Sequence, residues 1–180
     1  EDPEPRVRIE VEKDARELRI HDNGVGMDRT ELVENLGTIA RSGTARFLEQ
    51  LTGDRKQDAQ LIGQFGVGFY SAFMVADRVV VETRRAGAPA GEGWRWSSTG
   101  ESAYDLEPIE RAERGTTVTL HLKADAEEFL EPFRVRSVVK RYAEHIAIPV
   151  QLRREGDDEG EGWETVNAAK ALWTDRKSTR

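Results

Sequence analysis

The chain has 180 residues, which is enough for one domain with the beginning of a second. Hydrophobic residues make up 37% and charged residues 34%, a composition that still supports a folded core. The formal net charge of −7 argues against a dedicated nucleic-acid-binding protein, because phosphate contacts need clustered positive charge. The longest nearly apolar stretch, 69–76, is far shorter than the roughly 20 residues of a membrane helix. The absence of cysteine excludes a disulfide framework and favours a reducing compartment such as the cytoplasm.

The first elements are predicted to be two strands and a short helix. Apolar and polar residues alternate over 6–11 and 17–21, which predicts a β-hairpin. The second strand runs directly into the sequence DNGVGM at 22–27, after which Asp28 is suited to cap a short helix. Segment 37–63 has scattered apolar residues between glycines, so we expect a mobile flap.

The second half is predicted to be an antiparallel meander followed by a helix. Residues 69–75 are apolar enough for a buried helix, and strands are predicted over 78–83, 93–97, 104–106, 116–122 and 149–152. Helical spacing over 133–146 predicts an apolar stripe that covers the sheet, formed by Val135, Val138, Val139, Tyr142 and Ile146. Residues 155–162 read as an acidic, solvated loop. Strands in a run with helices beside them favour an α+β two-layer sandwich with a mostly antiparallel sheet.

Three glycine-containing segments are candidate sites, and each has a simpler structural explanation. Segment 22–26 is either a tight turn or a loop whose backbone approaches a flat ligand, with Asp22 as a carboxylate acceptor. Segment 63–68 either packs a helix closely on a strand or captures an anion at a helix N-terminus. Gly115 and Thr116 read as a turn before a strand. Neither the Rossmann order nor a Walker loop is present.

Other chemistry has little support in the sequence. The three histidines, His21, His121 and His145, are widely spaced, so structural roles are expected for them. No histidine pair or acidic ladder marks a metal site, and no Gly-x-Ser-x-Gly motif marks a serine hydrolase.

Taken together, segments 22–27, 35–44, 63–73 and 115–116 resemble the ATP-binding domain of the heat-shock protein 90 chaperone family, most closely its bacterial type. The resemblance covers essentially the whole chain and implies a Bergerat-type ATP-binding fold. Gyrase, sensor histidine kinases and mismatch-repair ATPases share only the sparser glycine pattern. The run 36–44 favours the chaperone family over these relatives.

The resemblance implies roles for individual residues around the base. Asp22 matches the carboxylate that accepts the adenine amino group. Gly26 and Met27 match the floor of the adenine pocket, and Thr116 matches a residue near the adenine that acts through water.

Further matches lie on the phosphate side. Asn35 and Arg41 match groups near the ribose and phosphates, although the family commonly carries Lys where Arg41 stands; Arg keeps the charge with a different geometry. Segment 37–63 matches the ATP lid. The phosphate-cradling loop is matched by Gly66, Val67, Gly68 and Phe69.

The resemblance places the family's catalytic Glu and its Mg²⁺-binding Asn before the first hairpin, upstream of Glu1, the first residue of this sequence. No catalytic or metal-binding residue is therefore assigned within the chain. The implied cofactors are ATP or ADP, with Mg²⁺ in the intact protein. We expect an ATP-binding domain over 1–154, an acidic glycine-rich loop and closing strand over 155–167, and the start of a linker to a middle domain over 168–180.

The implied parent is a dimeric, cytoplasmic, ATP-driven chaperone that assists unfolded client proteins under stress, without nucleic-acid or membrane partners. The 180 residues alone are expected to bind adenine nucleotide without hydrolysing it. The alternatives are a nucleotide-regulated interaction module without turnover and a related superfamily ATPase or sensor-kinase domain.

Overall fold

The structure is a computed structural model that describes residues 4–37, 68–101, 103–154 and 162–167. The described residues form one eight-stranded sheet in the order β5-β4-β3-β6-β2-β1-β7-β8. All neighbouring strands are antiparallel except β1 and β7. The strands are β1 Val7–Glu12, β2 Glu17–Asp22, β3 Ala76–Arg84, β4 Gly93–Ser98, β5 Asp105–Ile109, β6 Gly115–Leu122, β7 Val150–Arg153 and β8 Trp163–Thr165.

Short helices connect the strands. Helix α1, Arg29–Leu32, continues into a π-helical turn over Val33–Gly37. Helix α2, Pro132–Ala143, follows the 3-10 helix Ala124–Leu130. Two further 3-10 helices are Gly68–Met74 and Ala90–Glu92. Within the described ranges, no helix combines the length and the hydrophobicity that spanning a bilayer requires.

One face of the sheet carries the hydrophobic core, and the helices pack on that face. Cross-strand pairs such as Ile9 with Ile20 and Val81 with Trp96 are apolar, because alternate residues of a strand share a face. Leu32 and Leu36 from the first helical segment and Val135 and Val139 from α2 join the same core cluster. The opposite face carries charged pairs such as Glu10 with Arg19 and Glu82 with Arg95. The predicted α+β two-layer arrangement is therefore confirmed.

Two predicted helices differ from the structure. Residues 69–75, predicted as a buried helix, lie mostly in the 3-10 helix Gly68–Met74, and Met74 is 46% exposed. This tighter turn brings the chain directly into β3. The last helix ends at Ala143 rather than at residue 146, and Tyr142 and Ile146 are exposed rather than part of the buried stripe.

The early end of α2 has a physical cause. The side-chain amide of Asn167 donates to the carbonyl oxygens of Ala143 (3.3 Å), Ile146 (3.4 Å) and Ile148 (2.9 Å), while its Oδ1 accepts from the backbone N–H of Val150 at 3.0 Å. Carbonyl groups at a helix C-terminus lack partners within the helix, so this buried amide replaces the bonds that a further turn would form. The chain is thereby directed into β7.

Candidate functional site

The ends of three neighbouring strands bring polar side chains into one row. Asp22, the last residue of β2, pairs with Thr116 of β6, which in turn pairs with Thr83 of β3. The next pair on the same face, Ile20 with Val118, packs against the core. Asp22, Thr116 and Thr83 therefore form a terminal row, at the margin of the helix-covered face.

Thr83 is the buried end of this row. Its side chain has 0% exposure, and its hydroxyl donates to the backbone oxygen of Gly115 at 3.0 Å. The Thr83 hydroxyl oxygen also accepts from the backbone N–H of Met27 at 3.0 Å and lies 3.0 Å from the hydroxyl oxygen of Thr116. The Thr83 side chain thus joins Met27 and Thr116. The family resemblance implied that both of these residues lie at the adenine pocket, but it assigned no role to Thr83.

The glycine loop after β2 lies directly against the ends of β3 and β6. Gly26 has φ +67°, and a Cβ there would lie 2.0 Å from the backbone oxygen of Arg84 at the end of β3. Gly115 has φ +107°, and a Cβ there would lie 2.1 Å from the backbone oxygen of Asp22. Side chains at either position would collide with backbone, so both glycines are required by close approach as well as by conformation. Gly115 is therefore part of the site's construction and not only a turn residue.

Asp22 has one carboxylate oxygen engaged within the loop. Its Oδ1 accepts from the backbone N–H of Gly24 at 2.9 Å, which orients the carboxylate as in an Asx turn. The residue is exposed, and its Oδ2 accepts no hydrogen bond from any residue in the described ranges. The loop then ends in the predicted cap, where Asp28 accepts from the backbone N–H of Glu31 at 2.9 Å and the Glu31 side chain accepts in return.

The residues predicted for the phosphate side are only partly described. Asn35 is exposed within the π-helical turn, on the same helical segment as the buried Leu36. Gly68 begins the 3-10 helix, and the ring of Phe69 packs edge-on against Trp96 at 5.5 Å, so this side chain belongs to the core. Three predicted site residues, Arg41, Gly66 and Val67, lie outside the described residues. Most of the predicted lid also lies outside them.

Thr83 could have been found from the sequence by one signal. In the strand sequence VVVETR, residue 83 shares its face with Val79 and Val81, so alternation places a hydroxyl on the apolar face. A buried hydroxyl must have a hydrogen-bond partner. Its partners, Met27 and Gly115, are however far away in sequence.

A second cleft, of about 340 Å³, lies on the charged side of the sheet and shares Asp22 with the terminal row. Its basic and acidic residues balance in number: Arg6, Arg8 and Arg111 against Glu10, Asp22 and Glu113. Burial lowers the pKa of Arg111, whose guanidinium donates to the Thr117 hydroxyl at 3.0 Å. Because arginine and carboxylate side chains are equal in number, the cleft has no excess of positive charge that would favour an anion.

The described part of the chain contains no group of side chains suited to hold a metal ion. No three His, Cys, Asp or Glu side chains of these residues lie close enough together to hold a metal ion. What the described residues offer is the Asp22 carboxylate beside the Thr116 hydroxyl, with the backbone of Met27 and Gly115 hydrogen-bonded to Thr83 behind them. This edge of the terminal row suits the hydrogen-bonding side of a planar base.

The catalytic Glu and the Mg²⁺-binding Asn were expected upstream of Glu1. Glu1 itself lies outside the described residues, which begin at Glu4. The expected position of these two groups therefore stays a prediction, and no residue of the described ranges is assigned to either role.

Comparisons with known proteins agree with this arrangement. The family model for the histidine kinase-, DNA gyrase B-, and HSP90-like ATPase matches residues 5–126. Three similar relatives are each named chaperone protein HtpG. The one from Halorhodospira halophila is 54% identical, and the match covers 99% of this chain and 30% of the relative. The one from Methylococcus capsulatus is 57% identical, with 93% of this chain and 28% of the relative covered, and the one from Paraburkholderia xenovorans is 54% identical, with 98% of this chain and 29% of the relative covered.

The chain thus spans about 30% of the length of the curated relatives that it matches. These findings confirm the resemblance to the heat-shock protein 90 chaperone family that the four glycine-containing segments indicated. The chain belongs to the histidine kinase-, DNA gyrase B- and HSP90-like ATPase family.

Proposed function

We propose that this domain binds the adenine base of ATP or ADP at the terminal row and that the whole protein is an ATP-dependent chaperone. The observation that carries the proposal is the position of Asp22, which is exposed beside Thr116 with one carboxylate oxygen oriented by Gly24 and the other available. An ionised carboxylate only accepts hydrogen bonds, and the 6-amino group of adenine donates them. Gly26 and Met27 form the floor against which the ring lies.

The rigid backbone behind the site supports this role. The bonds from Thr83 to Met27 and Gly115 and the close approach of Gly26 to Arg84 hold the loop in one position. A preformed site binds its ligand without first ordering a loop, which reduces the entropic cost of binding. Asn35, Arg41 and the loop Gly66 to Phe69 are proposed to contact the ribose and phosphates, on the strength of the family resemblance.

Titration calorimetry with ADP tests the base contact. Asp22→Asn should weaken ADP binding by roughly 10- to 100-fold, because a hydrogen bond to a charged acceptor contributes about 1.5 to 3 kcal/mol. Asp28→Asn is the matched control: Asp28 lies in the same loop but caps α1, and Asn caps a helix equally well. Equal affinities of the Asp22→Asn protein and the unmodified protein would remove Asp22 from the site.

Hydrolysis is proposed for the whole protein only. The family resemblance assigns neither the general base nor the Mg²⁺ ligand to any of these 180 residues, so a polypeptide of these residues should bind nucleotide without turnover. Phosphate release from ATP by that purified polypeptide, abolished by Asp22→Asn so that a contaminant is ruled out, would contradict this. The whole protein should release phosphate in a Mg²⁺-dependent manner.

The remaining proposals concern the whole protein and rest on the names of its relatives and the family resemblance. We propose that it is a cytoplasmic homodimer that binds unfolded client proteins under stress. ATP-dependent suppression of the aggregation of a heat-denatured client, lost in the Asp22→Asn protein, tests the chaperone role. ATP turnover without any effect on aggregation would contradict it.

A further inference from the structure

The hydrogen bonds around Thr83 determine which way the hydroxyl of Thr116 points. A threonine hydroxyl has one proton to donate and two lone pairs with which to accept. The backbone oxygen of Gly115 can only accept, so it takes the Thr83 proton, and the backbone N–H of Met27 can only donate, so it fills one lone pair. The remaining contact is the 3.0 Å between the two hydroxyl oxygens, and all three contacts can be hydrogen bonds at once only if Thr116 is its donor.

This orientation changes what Thr116 offers to a ligand. With its proton directed at the buried Thr83, the Thr116 oxygen can only accept from a base or from a water molecule. Its strand neighbour Asp22 is likewise an acceptor when ionised. The exposed edge of the terminal row thus consists of acceptors alone.

An edge of acceptors discriminates between purines at position 6. A 6-amino purine donates to this edge from position 6, whereas a 6-oxo purine has an acceptor at position 6 and donates only from N1. At position 6 the oxo group would face another acceptor and leave both unpaired, and such mismatches are strongly rejected. We propose that Thr83 is a positioning residue that orients the Thr116 hydroxyl and thereby selects 6-amino over 6-oxo purine nucleotides. The proposal rests on the proposed function, since it assumes that the terminal row binds the base.

The test is the ratio of the affinities for ADP and inosine diphosphate, measured by calorimetry on the whole protein. Thr83→Ser keeps the hydroxyl and should keep the ratio within about twofold of the unmodified protein. Thr83→Val keeps the shape but frees the Thr116 proton, so the ratio should fall by roughly tenfold or more. A merely structural role for Thr83 would weaken both ligands equally and leave the ratio unchanged, which would overturn the proposal.

A second variant covers the case in which Thr83→Val does not fold, since it leaves Met27 N–H and Gly115 C=O without their buried partner. Thr116→Val removes the acceptor and leaves both of these Thr83 bonds in place, so the ratio should again fall by roughly tenfold. An unchanged or higher ratio would mean that Thr116 is not an acceptor and would overturn the inference. Failure of the unmodified protein to bind ADP at all would overturn the proposed function as well.

Discussion

The Cα of Gly26 lies so close to the backbone of Arg84 that a Cβ at position 26 would come within 2.0 Å of the Arg84 carbonyl oxygen. This contact holds the loop after β2 against the end of β3, although β6 is hydrogen-bonded between these two strands. The loop therefore crosses the end of β6, which brings Asp22, Met27 and Thr116 to one place. The position of this loop therefore depends on residue 26 being glycine, which has no side chain.

Alanine at Gly26 should therefore be much more harmful than alanine at another left-handed glycine. Gly87 has φ +85° but nothing within 4 Å of its Cβ position, so Gly87→Ala should cost only the backbone strain of about 1 to 2 kcal/mol. Gly26→Ala adds a collision with backbone and should cost at least about 2 kcal/mol more. Urea unfolding of both variants measures the difference, and equal costs would show that the contact with Arg84 is not tight.

The stability of the fold should depend on the buried residues of helix α2 and not on the exposed Phe133. Val135 is 5% exposed and joins the core cluster, so Val135→Ala should lower the free energy of unfolding by about 2 kcal/mol. Phe133 is 78% exposed, and Phe133→Ala should change the free energy of unfolding by less than about 0.5 kcal/mol. Denaturant midpoints of the two variants test this, and a larger loss for Phe133→Ala would mean that its ring is covered in solution.

Asn167 should be specifically required as an amide. Asn167→Asp keeps an acceptor for the Val150 N–H but directs a carboxylate oxygen at three carbonyl groups, so it should cost about 2 to 4 kcal/mol. Asn35→Asp makes the same chemical change at an exposed position and should cost less than about 0.5 kcal/mol. Thermal unfolding compares them, and similar melting temperatures would contradict the role of Asn167 in ending α2.

Because of Glu10, the free energy of unfolding should vary with pH in the acid range. The neighbouring His21 imidazole, together with the Arg153 and Arg19 guanidinium groups, lowers the pKa of Glu10 below its ordinary value of 4.5, against the opposing effect of burial. A carboxylate with a lowered pKa in the folded state stabilises the fold above its unfolded pKa. That contribution is lost as pH falls through the lower, folded value.

Glu10→Gln should therefore reduce stability at neutral pH and flatten the further loss of stability below about pH 4.5. Glu12→Gln, on the same strand and face, is the control. Free energies of unfolding measured from pH 7 to pH 3 provide the comparison. Parallel pH profiles for Glu10→Gln and the unmodified protein would rule out this contribution of Glu10.

The sequence alone predicted most of the secondary structure, whereas the candidate residues around the base came from the family resemblance and stay a prediction. Alternation in β1 and β2 is strong because each strand has one core face and one charged face. The cap at Asp28 is equally local, since its partner Glu31 is three residues away. Spacing along the chain carries such information because the interacting groups are neighbours in sequence.

Tertiary structure alone decided how these pieces meet. The end of α2 at Ala143 depends on Asn167, 24 residues later, and the parallel pairing of β1 with β7 joins the two ends of the described chain. The bonds of Thr83 to Met27 and Gly115 join segments that are 56 and 32 residues away. No local pattern specifies such contacts, because a buried hydroxyl needs a partner but can find it on any strand that folding brings within 3 Å.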